Sequence, residues 1–191
     1  YAGLLPWQFF VHALTEAGSS VVTNERLITK VYFPRLLIPL ASVLGGFIDL
    51  LVALVLLGAL MVFYGIRPGL AVVMLPLFLL MTVATALGAG LWLAALNVRF
   101  RDARYTIPFL TQIWFLGTPI VYPSSIIPEP WRQLVAINPM AGVIEGFRWS
   151  VLGTAQPSTG LVIISAIASL VLLTTGLFYF RRMERSFADV I

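Results

Sequence analysis

Few side chains in this chain have the chemistry for a reaction. The single histidine, His12, lies four residues from Gln8 and four from Glu16, so the three share one helix face. One imidazole cannot build a multi-histidine metal site or a nucleophile triad. The stripe is therefore read as an interhelical contact facing protein or water rather than lipid. Asp49 stands alone inside a long apolar run. An isolated carboxylate at the centre of a bilayer costs about 2.5–3.5 kcal/mol, so Asp49 is expected to face a bundle interior, paired or protonated. Glu145 and Arg148 are three residues apart and are expected to pair on one helix. There is no cysteine, hence no disulfide or thiol chemistry. There is also no Gly-x-x-x-x-Gly-Lys-Ser/Thr phosphate loop, so the chain is not expected to hydrolyse ATP itself.

The elements around these residues are read from hydropathy. Of 191 residues, 60% are hydrophobic and 10% charged, and the mean hydropathy is +0.97. Soluble domains carry about 25% charge. A soluble fold of this size could not bury so much apolar surface. The expected fold is an all-α polytopic membrane bundle, a single permease-like domain over 1–191. Five spans are expected, at about 4–22, 39–64, 69–96, 107–122 and 160–180. Turn residues Gly65-Ile66-Arg67-Pro68-Gly69 would join the second and third as an antiparallel hairpin.

Charge sets the orientation. Arg26, Lys30 and Arg35 follow the first span, Arg99, Arg101 and Arg104 the third, and Arg181, Arg182 and Arg185 the fifth. These nine of the twelve basic residues would share the cytoplasmic side, leaving Arg67, Arg132 and Arg148 outside. That pattern explains the net charge of +4 without nucleic acid. Prolines 119, 123, 128, 130, 139 and 157 break the stretch 123–157 and its approach. It is expected to form short re-entrant helices on the outer side, since irregular backbone at membrane depth needs protein or water around it.

Asn24 through Arg35 is the most distinctive stretch. Asn24 can cap a short helix. Leu27, Ile28 and Val31 recur at helical spacing, with Arg26 and Lys30 on another face, and Pro34 forces a break. Such a stretch either docks a partner or merely fixes topology. Trp7, Phe9, Phe10, Trp114, Phe115, Tyr122 and Trp131 fall near span ends, where most are expected in an interfacial belt. Trp114, Phe115, Tyr122 and Trp131 are also candidates to line a conduit, because apolar sugar faces stack on aromatic rings.

Leu5-Pro6-Trp7-Gln8-Phe9-Phe10 and Leu27-Ile28-Thr29-Lys30-Val31-Tyr32-Phe33-Pro34-Arg35 resemble type-2 ABC exporter permeases of the polysaccharide and O-antigen export kind. So do Leu96-Asn97-Val98-Arg99-Phe100-Arg101-Asp102-Ala103-Arg104-Tyr105, Thr118-Pro119-Ile120-Val121-Tyr122-Pro123 and Asn138-Pro139-Met140. The likeness runs in order over nearly the whole chain. It implies an inner-membrane permease of six spans per protomer, paired with a second copy of itself and two ATPase subunits. ATP and Mg would bind in that partner, and the permease would hold no cofactor. The chain would begin in or just before the second span. Asn24, Arg26, Leu27, Lys30, Tyr32, Phe33, Pro34 and Arg35 would couple to the ATPase. Arg99, Arg101, Asp102 and Arg104 would form a second cytoplasmic loop, touching the ATPase or lipid phosphates. The substrate would be a lipid-linked glycan; teichoic acid, another glycolipid or a drug are the alternatives within the superfamily. A membrane enzyme acting on lipid-linked sugars ranks below these. It would need paired carboxylates outside, where only Glu129, Arg132, Glu145 and Arg148 are expected.

Overall fold

The computed structural model describes residues 1–25, 34–100, 103–122, 126–184 and 187. Among them all regular structure is helical: α1 (Leu4–Thr23), α2 (Leu37–Phe63), a 3-10 turn (Leu70–Met74), α3 (Leu75–Arg99), α4 (Ala103–Leu116), α5 (Glu129–Ala136), α6 (Pro139–Leu152) and α7 (Thr159–Met183). Local sequence sets the ends of the long helices. Gly65, at φ +68, closes α2. Its N–H bonds to Val62 O at 3.2 Å and that of Ile66 to Met61 O at 2.8 Å, the paired bonds of a Schellman cap. Ser158 opens α7 by accepting from Leu161 N at 3.3 Å. Arg181 and Arg182 occupy its last turn, where cations complement the helix dipole.

Three described helices are long and apolar enough to cross a membrane: Leu37–Phe63, Leu70–Arg99 and Thr159–Met183. They coincide with the second, third and fifth expected segments. At 27 residues, α2 is about 40 Å long at 1.5 Å per residue, enough for a hydrocarbon layer of about 30 Å. The first expected segment is the helix α1, of 20 residues, carrying the polar stripe. The fourth is shifted and shorter than expected. Its helix is α4, with 14 residues and Pro108 inside it, and Gly117-Thr118-Pro119 ends it before Tyr122.

The packing order differs from chain order. α2 and α3 are joined by the Gly65 turn but pack little on each other. α1 lies between them, and α3 also packs along α7. The order across the bundle is thus α2, α1, α3, α7, with α6 against α3 and α7. Small residues make these contacts close. A Cβ on Gly88 would lie 2.6 Å from the backbone of Leu172, and one on Gly176 would lie 2.3 Å from Gly88 O. Trp92 stacks on Tyr179 at 4.1 Å between the same helices, and Thr85 bonds to Ser169 at 3.0 Å. Lipid is as apolar as leucine, so helices in a bilayer associate through close van der Waals contact and interhelical hydrogen bonds.

The aromatic residues of α1 are not an interfacial belt. Trp7, Phe9 and Phe10 are buried. Trp7 lies 5.6 Å from Phe115, and Phe10 meets Trp114 edge-on at 4.9 Å. Their rings fill the space between α1 and the short α4. Apolar side chains such as Ile48, Val52, Val55 and Leu56 on α2, and Leu170 and Phe178 on α7, point outward instead.

Gly88→Val forces two helix backbones apart and is expected to destabilise the fold by about 1–3 kcal/mol or more. Gly58→Val, where a new Cβ meets nothing within 4 Å, is expected to be neutral. Thermal unfolding in detergent, with the monodisperse fraction from gel filtration, compares the two.

Candidate functional site

Candidate functional residues gather at the two ends of the bundle. One end is basic and is made by the last turns of α1, α3 and α7 and the start of α2. Val21, Ile38, Leu91, Val98, Phe180 and Phe187 form an apolar cluster there. Phe187 is fully buried and meets Phe180 edge-on at 5.4 Å. Asn97 donates from Nδ2 to Gly18 O at 2.7 Å, fastening α3 to α1. Arg35 donates from its guanidinium to the Glu184 carbonyl, fastening the approach to α2 onto the end of α7. The expected sharing of one side by the segments around Arg35, Arg99 and Arg181 is therefore seen directly in packing and hydrogen bonds.

Asn24 closes α1: Nδ2 donates to Ser20 O at 2.8 Å, and its backbone N–H bonds to the same carbonyl at 3.1 Å. Pro34 is exposed, and its carbonyl accepts from Leu37 N at 3.0 Å as α2 begins. Arg99 is exposed, with its guanidinium 5.6 Å from the Phe100 ring centroid. Arg26, Leu27, Lys30, Tyr32, Phe33, Arg101 and Asp102 lie outside the described residues. Arg104 belongs to the first turn of α4.

At the opposite end a polar node joins α4, α6 and α7. Asn138 caps α6, its Oδ1 accepting from Met140 N at 3.0 Å. The same oxygen accepts from Trp114 Nε1 at 2.9 Å, and Nδ2 donates to Thr118 Oγ1 at 2.8 Å. Ser165, buried on α7, lies 3.2 Å from Asn138 O and 3.1 Å from Ala136 O, and accepts from Gly142 N at 3.2 Å. Arg148 reaches from α6 to the carbonyls of Pro119 and Ile120. Burial lowers the Arg148 guanidinium from its ordinary value, and the charge of Glu145 opposes that. The expected partner of Arg148 was Glu145; the structure adds the two carbonyls, which let one cation hold the Pro119–Ile120 turn against α6.

The aromatic candidates split between these surroundings. Trp114 and Phe115 are half-buried and brace α1, while Tyr122 is half-buried and its hydroxyl donates to Leu116 O at 3.4 Å. Trp131, on α5, is 62% exposed and so keeps an open ring face. Sequence reasoning missed Ser165, because a serine in an uncharged span has no distinguishing signal. Neither the cap that Asn138 makes on α6 nor its hold on Trp114 and Thr118 was expected from the sequence. Asp49 is exposed on this chain and shares a groove with Gln8 and His12; α1 takes the interior position, and α2 meets it from outside.

Asn138→Ala removes the acceptor of Trp114 Nε1 and Met140 N, and is expected to cost about 1–3 kcal/mol for the groups left unsatisfied. Thr118→Val removes one of these bonds and should cost less. Thermal unfolding in detergent orders the two variants.

The sequence profile described as "ABC-2 type transporter" matches residues 9–152. The chain is 31% identical over 193 residues to an O-antigen export system permease protein RfbA from Myxococcus xanthus, covering 100% of this chain and 74% of that protein. It is 29% identical over 190 residues to a protein of the same name from Klebsiella pneumoniae, covering 99% of this chain and 73% of the relative. A profile match across most of the chain, with relatives aligned over essentially all of this chain and about three quarters of their own length, and three helices long and apolar enough to span, places this protein in the ABC-2 type transporter family.

Proposed function

We propose that this chain is the transmembrane subunit of an ATP-driven exporter that moves a lipid-linked polysaccharide of the O-antigen kind outward across the bacterial inner membrane. The observation that carries the reading is the similarity, over the whole of this chain, to relatives named as O-antigen export permeases. In this reading the complex holds two copies of the chain and two ATPase subunits. ATP and its Mg are bound by the ATPase.

The basic end is the cytoplasmic one, following the excess of Lys and Arg there. The segment from Asn24 to Arg35 docks the ATPase. Its movement has two routes into the bundle. One is the continuous chain from α1 through Arg35 into α2. The other is the hydrogen bond from Arg35 to the end of α7, backed by Phe187 in the apolar cluster. Arg99, Arg101, Asp102 and Arg104 flank the same surface. At the outer end, Trp114, Phe115, Tyr122 and Trp131 border the exit of the conduit. Trp131 is the most open of them to a passing sugar face, and the Asn138 node holds the exit region to α7.

Charge reversal tests the docking assignment. Arg26→Glu with Lys30→Glu is expected to abolish co-purification with the ATPase and surface polymer, while the permease remains monodisperse. A variant that binds the ATPase and exports polymer like the parent removes the assignment. Trp131→Ala is expected to lower surface polymer without loss of thermal stability. Trp114→Ala should lower both, because its indole also holds Asn138.

A further inference from the structure

Among the described residues, one buried side-chain oxygen has no hydrogen-bond partner, and it belongs to Asn97. The residue is 2% exposed and lies in the last turn of α3. Its Nδ2 donates to Gly18 O at 2.7 Å. That bond fixes the orientation of the amide, since exchanging oxygen and nitrogen would set Oδ1 against a carbonyl. Oδ1 itself is sealed, with almost no surface that a water molecule can touch. Asn97 and Gly18 are both buried within this chain, so no other segment reaches them in this arrangement.

A buried orphan acceptor costs as much as, or more than, the bond beside it contributes. Gly18 O does not need that bond. Gly18 lies inside α1, where the N–H four residues on supplies its carbonyl. A leucine at position 97 would therefore suit the fold as well as the asparagine does, or better. The asparagine fits instead a contact that is made in one state and broken in another. Once α1 and α3 part there, water satisfies both ends of the carboxamide.

The inner end of α1 is built to bend at this level. Nearer the middle of the bundle, a Cβ on Gly90 would lie 2.6 Å from Ala17 Cβ, so the two helices are in close contact there. Immediately after that contact α1 reads Gly18-Ser19-Ser20. Helices kink at Gly/Ser pairs, and hydroxyls that bond back to carbonyls a turn earlier weaken and bend a helix. All four hydroxyls of residues 15–23 do so. Thr15 donates to Val11 O at 2.8 Å, Ser19 to Thr15 O at 3.0 Å, Ser20 to Ala17 O at 2.7 Å and Thr23 to Ser19 O at 3.0 Å. The α3–α7 seam is the opposite case, because Gly88 stands against the Leu172 backbone and a rotation there produces a clash.

Resting on the export reading above, we propose that Asn97 is a releasable latch. It positions the inner end of α1 against α3. Movement of the 24–35 segment by the ATPase draws Gly18 O off Nδ2 and bends α1 at Gly18-Ser19-Ser20, about the Ala17–Gly90 contact.

The full-length protein, assembled with its ATPase, carries Asn97→Leu. Thermal unfolding of this complex is expected at or above the parent's temperature, with ATPase co-purification unchanged. Surface polymer per ATP hydrolysed is expected to fall about three- to tenfold, the weight of one hydrogen bond in an equilibrium. A merely structural bond would move stability and leave that ratio alone. The chain has no cysteine, so a single thiol in the permease reports the opening directly. Val21→Cys, fully buried at the inner end of α1, and Ser169→Cys, buried in the α3–α7 seam, are treated with a water-soluble maleimide. Labelling of the permease band is compared without nucleotide and with a non-hydrolysable ATP analogue. Val21→Cys is expected to be labelled only with the analogue bound, and Ser169→Cys in neither condition. Val21→Cys labelled equally in both conditions, or in neither, overturns the latch. So does Asn97→Leu with the parent's polymer per ATP, or with a lowered unfolding temperature. Ser169→Cys labelled alongside Val21→Cys means that the bundle opens as a whole, which also overturns it. If the parent complex puts no polymer on the surface of a strain lacking its own permease, the export reading fails, and the Val21→Cys labelling still decides the latch.

Discussion

Backbone-to-backbone contact between helices is the constraint on which the rest of this structure depends. α3 approaches α7 until Gly88 and Gly176 leave no room for a side chain, and it approaches α1 until a Cβ on Gly90 would lie 2.6 Å from Ala17 Cβ. In water, such a bundle would be held by burial of its apolar faces. In lipid that driving force is absent, because an outward leucine is as well solvated as an inward one. Long helices with apolar residues all around, such as α2 and α7, have no stripe to say which side turns inward. Small residues supply that information by permitting close approach on one side only. The hydrogen bonds of Thr85 to Ser169 and Trp92 to Thr175 lie along the same seam.

That seam positions both functional ends. With α1, α3 and α7 locked in register, their last turns converge, and Asn97 and Arg35 reach carbonyls far away in the chain. At the other end, the same register brings Ser165 of α7 beneath the cap of α6. Asn138 can then hold Trp114 and Thr118 at once. α7 thus carries contacts at both ends, the Arg35 bond at one and Ser165 at the other.

Polarity inside the apolar region follows a similar logic. α1 is the least apolar of the long helices because it has two roles. One face, with Trp7, Phe10, Ala13 and Ala17, is the centre of the protomer. The opposite face carries Gln8, His12 and Glu16 and is left open. A helix that packs on three neighbours and still exposes polar groups at mid-membrane must border something other than lipid.

Much of this was legible in the sequence. Apolar runs bounded by Gly, Pro and Arg located α2, α3 and α7, since helix length in a bilayer is dictated by its thickness. Alternating basic loops identified the segments that share an end. Glycine and proline marked the Gly65 turn. The sequence could not tell how the helices pair, because residues uniformly soluble in lipid carry no inward signature. Hence the expected hairpin of α2 on α3 gave way to α1 standing between them. The expected aromatic belt proved in part to be core. Local chemistry thus determined which segments are helices and where each ends. Only the tertiary structure decided which faces meet, because that depends on small residues from distant segments coinciding at one depth.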